Sequence, residues 1–126
     1  MIINISASIP YFDVHKIFVL EDQDFRVEII KKLITNEYQD TITFYANSTE
    51  TAKDILIRHH PFDLIMLDYD LEELPSETNN GELVAKFIRE NNIRYNNCII
   101  HCLNPNNANK LFTTLNGNCT IKPLIN

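Results

Sequence analysis

Apolar and polar positions along the chain alternate between two periods. Short apolar runs occur at Lys16–Leu20, Thr41–Ala46, Asp63–Leu67, Asn97–Cys102 and Cys119–Ile121, and each reads as a strand. Between them the apolar positions recur at helical spacing. Ile29, Ile30, Leu33 and Ile34 form one stripe, and Ala52, Ile55 and Leu56 a second. Leu83, Val84, Phe87 and Ile88 form a third, and Ala108, Leu111, Phe112 and Leu115 a fourth. Strand and helix therefore alternate, with a last helix missing after the fifth strand. That order predicts an α/β fold: a doubly wound parallel sheet with right-handed crossovers and helices on both faces.

Punctuation supports these boundaries. Asp24 is placed to cap the first helix, and Asn47 with Glu50 to form a capping box for the second. His59-His60-Pro61 ends that helix at a solvated terminus, and a polar loop from Glu72 to Asn80 closes at Gly81. Asn104-Pro105 starts the fourth helix and Asn116-Gly117 stops it. Residues 1–15 form an N-terminal extension, read either as an extra strand or as an arm lying on the domain, and the domain proper runs over 16–126.

Composition narrows the function classes. A chain of 126 residues, 44% hydrophobic, suffices for one domain with a core. A net charge of -6 argues against bulk nucleic-acid binding, though not against a local site for an RNA or nucleotide end. No apolar run reaches membrane-spanning length. Cys98, Cys102 and Cys119 lack disulfide-framework spacing, and the N-terminus lacks signal-peptide features, so a reducing cytoplasmic setting is expected.

Four strand ends carry polar groups: Glu21-Asp22, Asp68-Tyr69-Asp70, His101-Cys102 and Lys122-Pro123. In a parallel sheet these lie on one edge, where open α/β sheets bind ligands. Carboxylates gathered there repel one another and raise each other's pKa unless a cation is present. Glu21, Asp22, Asp68 and Asp70 are therefore the candidate ligands of Mg²⁺ or another divalent ion, which takes oxygen ligands at roughly 2.0–2.1 Å. Lys122 adds a positive charge suited to a phosphoryl group. A zinc reading of Cys98, His101 and Cys102 fails because successive strand residues face opposite sides.

With these residues in place, the stretch from Lys16 to Pro123 resembles a response-regulator receiver domain, of flavodoxin-like strand order 2-1-3-4-5. The resemblance implies that Glu21 and Asp22 form the acidic pair, that Asp68 is the phospho-acceptor and that the backbone carbonyl of Asp70 completes the Mg²⁺ shell. It also implies a cis peptide before Pro123. Three features depart from it. Cys102 stands where receivers carry Ser or Thr, the loop from Asp68 to Gly81 is long, and the final helix is absent.

Leu-Asp-Tyr-Asp-Leu (67–71), His-Cys-Leu-Asn-Pro (101–105) and Arg26 are similar to hallmark segments of the receiver-like family named for cyclic-phosphate processing. That likeness implies side-chain roles for Asp70 and His101, with His101 as a general acid, and adds Arg26, Cys102 and Asn104 to the candidate binding residues. Three functions follow as expectations. The first is a phosphorelay receiver with a kinase or a phosphorylated small molecule as donor. The second is a metal-dependent phosphoesterase on cyclic-phosphate or RNA ends. The third is a degenerate receiver that only binds protein. The face lacking a final helix is expected to be covered by residues 1–15 or by a second subunit.

Overall fold

The computed structural model describes residues 14–71 and 77–124. Their strands are β1 (Lys16–Leu20), β2 (Ile42–Ala46), β3 (Phe62–Leu67), β4 (Tyr95–Ile100) and β5 (Thr120–Ile121). The helices are α1 (Asp24–Glu37), α2 (Thr49–His59), α3 (Gly81–Glu90) and α4 (Pro105–Thr114). All strand pairs are parallel, in the order β2-β1-β3-β4-β5. The alternation of elements predicted the parallel sheet, and this is the flavodoxin-like order that the receiver resemblance implied.

Period-two alternation divides the sheet into two faces. Ile17 and Val19 of β1, Leu64 and Met66 of β3 and Ile99 of β4 pack with Ile30, Leu33 and Ile34 of α1 and with Leu124. Phe18, Leu20, Ile65, Leu67, Cys98 and Ile100 face the other way, onto Ala52 and Leu56 of α2, Val84 and Ile88 of α3 and Leu111 of α4. Phe62 and both central strands are buried on both faces, which explains their unbroken apolar runs.

Several local expectations shift by a residue or two. Gln23, not Asp24, occupies the cap of α1 and makes no side-chain cap bond; Asp24 is the first helical residue, where a carboxylate still suits the helix dipole. Ser48 rather than Asn47 caps α2, accepting from the Thr51 backbone N–H. β4 begins at Tyr95, so His101 and Cys102 follow the strand instead of ending it. Phe112 is exposed, because α4 turns only Ala108, Leu111 and Thr114 inward. His59 is half-buried, with one ring face stacked on Phe44 at 4.3 Å between centroids. Among the described residues the cis peptide bond is His60–Pro61, and Lys122–Pro123 is not cis. The readings of residues 1–13 and of loop positions 72–76 lie outside the described residues. Among the described residues no helix is long and apolar enough to cross a membrane.

Candidate functional site

Continuing each strand's alternation one step past its end places Glu21, Asp68 and His101 on the α1 side of the sheet. Ligand oxygens of Glu21, Asp22 and Asp68 then lie within 4.8 Å of one another. This is the acidic cluster expected at the carboxyl edge, without Asp70. The Asp70 carboxylate interacts electrostatically with Asp22, Asp68 and Cys102, and its backbone forms an antiparallel bridge with Asn80.

The three carboxylates differ in what holds them. Glu21 is buried, and its Oε1 accepts from Arg26 Nε at 2.7 Å. Its Oε2 accepts from the backbone N–H groups of Asp22 and Gln23 at 3.1 and 3.2 Å. Among the described residues Asp68 has one donor, the Tyr69 backbone N–H on Oδ1 at 2.9 Å. Asp22 keeps a buried Oδ1 with no partner. Burial, followed by the nearby Glu21 charge, pushes the Asp68 carboxyl up to about 8. Burial also raises Asp22, and raises Glu21 against the opposing pull of Arg26. A proton shared within the group therefore rests on Asp68, since Glu21 has a guanidinium and two N–H donors favouring its anion.

Arg26 is not at the surface. It is buried and donates to the carbonyls of His101 at 3.0 Å and of Leu124 at 3.2 Å. It also approaches His101 Nδ1 at 3.4 Å. A guanidinium can only donate, so Nδ1 accepts and the neutral ring carries its proton on Nε2. Burial, then the Arg26 charge, lowers the His101 pKa to about 3. The ring is wholly enclosed and neutral at physiological pH. This geometry departs from a general-acid role. Asp70 and His101 have no contact with each other among the described interactions.

The other candidates divide similarly. Cys102 faces the opposite core, with Sγ 3.9 Å from the Asn104 carbonyl oxygen. Burial and the Asp68 and Asp70 charges push its thiol up to about 12, so it stays protonated. Asn104 is exposed and caps α4, its Oδ1 accepting from the backbone N–H groups of Asn106 and Asn107. The Lys122 backbone N–H donates to the Ile100 carbonyl at 2.9 Å, which brings the end of β5 beside the end of β4. Cys98 and Cys102 lie on the face opposite His101, as the rejection of zinc required.

One residue at the site was not singled out from sequence. Gly81 opens α3 against the backbone of Asp68, and its N–H donates to the Tyr69 carbonyl at 2.7 Å. A Cβ at this position would lie 1.9 Å from the Asp68 carbonyl oxygen and 2.7 Å from Tyr69 Cα. Its signal was present: it is one of only two glycines, placed where a loop meets a helix.

A sequence model of the family described as cyclic-phosphate processing receiver domains matches residues 17–117. None of the curated proteins compared matches. Solved structures share the fold at low identity. The signal receiver domain of an HD domain-containing protein from Pseudomonas fluorescens is similar at TM-score 0.67 and 13% identity, covering 89% of this chain and 85% of that one. The phosphorylated cyanobacterial phytochrome response regulator RcpA gives 0.67 and 20%, covering 86% and 80%. The response regulator domain of Thermotoga maritima CheB gives 0.64 and 19%, covering 87% and 78%.

Proposed function

The chain belongs to the family of cyclic-phosphate processing receiver domains, and from that premise we propose that it accepts a phosphoryl group on Asp68 beside a bound divalent cation. The observation that carries this reading is the group Glu21, Asp22 and Asp68, three carboxylates with ligand oxygens within 4.8 Å of one another, two of them buried and Asp22 half-buried. The donor set fits Mg²⁺: it is all oxygen, Asp22 Oδ1 is buried without a partner, and Asp68 is pushed up to about 8 in the absence of a cation. Asp22 and Asp68 would hold the ion, with Glu21 fixed behind them by Arg26. The bound cation supplies charge neutralisation for the carboxylates and for the incoming phosphoryl oxygens.

In this reading Asp68 is the nucleophile. Its Oδ1 is fixed by the Tyr69 N–H, which leaves Oδ2 to form the new O–P bond as the donor's leaving group departs. Lys122, at the end of β5, supplies positive charge to the transferred group. The donor is a phosphorylated kinase side chain or a phosphorylated small molecule. The test is intact-mass spectrometry after incubation with a small-molecule acyl phosphate and Mg²⁺. A phosphoryl adduct on the native chain, absent from Asp68→Asn, is expected. No adduct with any small donor, alongside demonstrated Mg²⁺ binding, would reject the acceptor role.

The family description favours a second reading at the same site, a metal-assisted phosphoesterase acting on a cyclic phosphate. Here Asp22 and Asp68 orient the ion, while enclosed His101 positions Arg26 instead of moving a proton. Multiple turnovers of a 2′,3′-cyclic nucleotide with Mg²⁺ or Mn²⁺, without a stable adduct, would select this reading. Absence of turnover with both metals would remove it.

A further inference from the structure

Two of the three cysteines take no part in the acidic site, and the topology brings them together. β4 and β5 pair with Ile99 opposite Thr120 and Ile100 opposite Ile121. Extending that register one step back places Cys98, on β4, beside Cys119, the residue just before β5. Neighbouring parallel strands lie about 4.8 Å apart, inside the span of about 4.4–6.8 Å over which Cα atoms accommodate a disulfide. Both side chains point to the same face: Cys98 belongs to the core shared with Ile100, and Cys119 packs against that core. Both are free thiols in side-chain hydrogen-bonding contact.

Their environments are unequal. Cys98 is buried, while Cys119 is only partly covered. Both line a cleft of about 620 Å³ beside Asn97, Asn118 and Thr120, which gives a small solute access to the pair. The hydrogen bond raises Cys98 and lowers Cys119, as expected if the Cys98 thiol donates to a Cys119 thiolate. Cys102 lies four residues beyond Cys98, next to Asn104 and the acidic group, with no such sulfur neighbour among the described residues.

We propose that Cys98 and Cys119 form an oxidisable dithiol that a hydroperoxide converts to a disulfide linking β5 to β4. The Cys119 thiolate attacks the terminal peroxide oxygen. An S–O bond forms, the O–O bond breaks, and the alkoxide or hydroxide leaves, taking up the proton that Cys119 had released to solvent to become alcohol or water, so that sulfur is oxidised by two electrons to sulfenic acid. The Cys98 thiol then attacks that sulfur. The S–S bond forms, the S–O bond breaks, and the hydroxyl leaves as water with the Cys98 proton. Two thiols and one hydroperoxide thus give one disulfide, one water and one alcohol, or two waters when hydrogen peroxide is the oxidant. The bridge would tie down the two-residue β5, whose continuation carries Lys122 and the Leu124 carbonyl that Arg26 holds.

The test treats the full chain with hydrogen peroxide and follows it by non-reducing intact-mass spectrometry and tryptic mapping. A monomer lighter by about 2 Da, restored by dithiothreitol, is expected. Peptide 95–110 carries both Cys98 and Cys102 and peptide 111–126 carries Cys119, so fragmentation of the linked pair in the native chain assigns the partner without any variant. A Cys98–Cys119 link, retained in Cys102→Ser and lost in Cys119→Ser, supports the proposal. A Cys102–Cys119 link, an intermolecular dimer, or three persistent free thiols under peroxide would each overturn it.

Discussion

Arg26 shows how one buried side chain organises this site. Its guanidinium joins Glu21, the His101 carbonyl and ring, and the Leu124 carbonyl, so α1 is fastened to the ends of β1 and β4 and to the segment after β5. Removing it would leave a buried carboxylate without its cation and take the Arg26 donor from the Leu124 carbonyl, while the His101 carbonyl would keep the Leu124 backbone N–H at 3.2 Å. Arg26→Ala is therefore expected to destabilise the fold by about 3–5 kcal/mol. Arg26→Lys is expected to recover only part of that loss, because an ammonium cannot span a carboxylate and two carbonyls as a planar fork does. Urea denaturation of both variants and of Arg26→Ala/Glu21→Ala checks this. The double variant should lose less than the sum of the singles, since the unpaired charge is gone. Strict additivity would mean that the 2.7 Å contact contributes little.

At the level of elements, the start of α3 matters most for Asp68. The helix begins in contact with the Asp68 carbonyl, and only a residue without Cβ fits there. Gly81→Ala must push α3 or the Asp68 backbone aside, at a cost of about 1–3 kcal/mol or more. Phosphoryl-adduct yield should fall with it, although Gly81 touches no ligand; full yield with unchanged urea midpoint would show that α3 shifts freely. The same element shows what the sequence disclosed. The acids at the ends of β1 and β3 were legible because a parallel sheet sends its strand ends to one edge. Period-two counting from Val19, Met66 and Ile99 also assigns Glu21, Asp68 and His101 to one face. Arg26 was legible as a candidate but its role was not, because its partners lie 5, 75 and 98 residues away and meet only through the crossovers. The clash at Gly81 depends on how closely α3 docks, which a residue pattern does not encode.

Over the whole molecule the buried titratable groups set opposing slopes of stability against pH. His101 has its pKa lowered from 6.5 to about 3, so below 6.5 the unfolded chain binds the extra proton and stability falls as pH falls. Asp68 is raised from 3.8 to about 8, so between those values the folded chain holds the extra proton and stability falls as pH rises. The two effects offset each other where the windows overlap. Above 6.5 only the carboxylate effect remains, reinforced in direction by the raised Glu21 and Asp22. One full proton gives a slope of about 1.4 kcal/mol per pH unit. Without divalent ions, unfolding free energy should therefore fall by on the order of 1–2 kcal/mol between pH 6.5 and 8. Asp68→Asn should lose most of that fall. Saturating Mg²⁺ should also flatten it, because an ion bound to the carboxylates favours their ionised form in the folded state. Urea titrations at half-unit pH steps, with Mg²⁺ or with a chelator, separate these effects. A native chain that gains stability across that interval without metal, or an Asp68→Asn chain with an undiminished slope, would show that the proton is not held on Asp68.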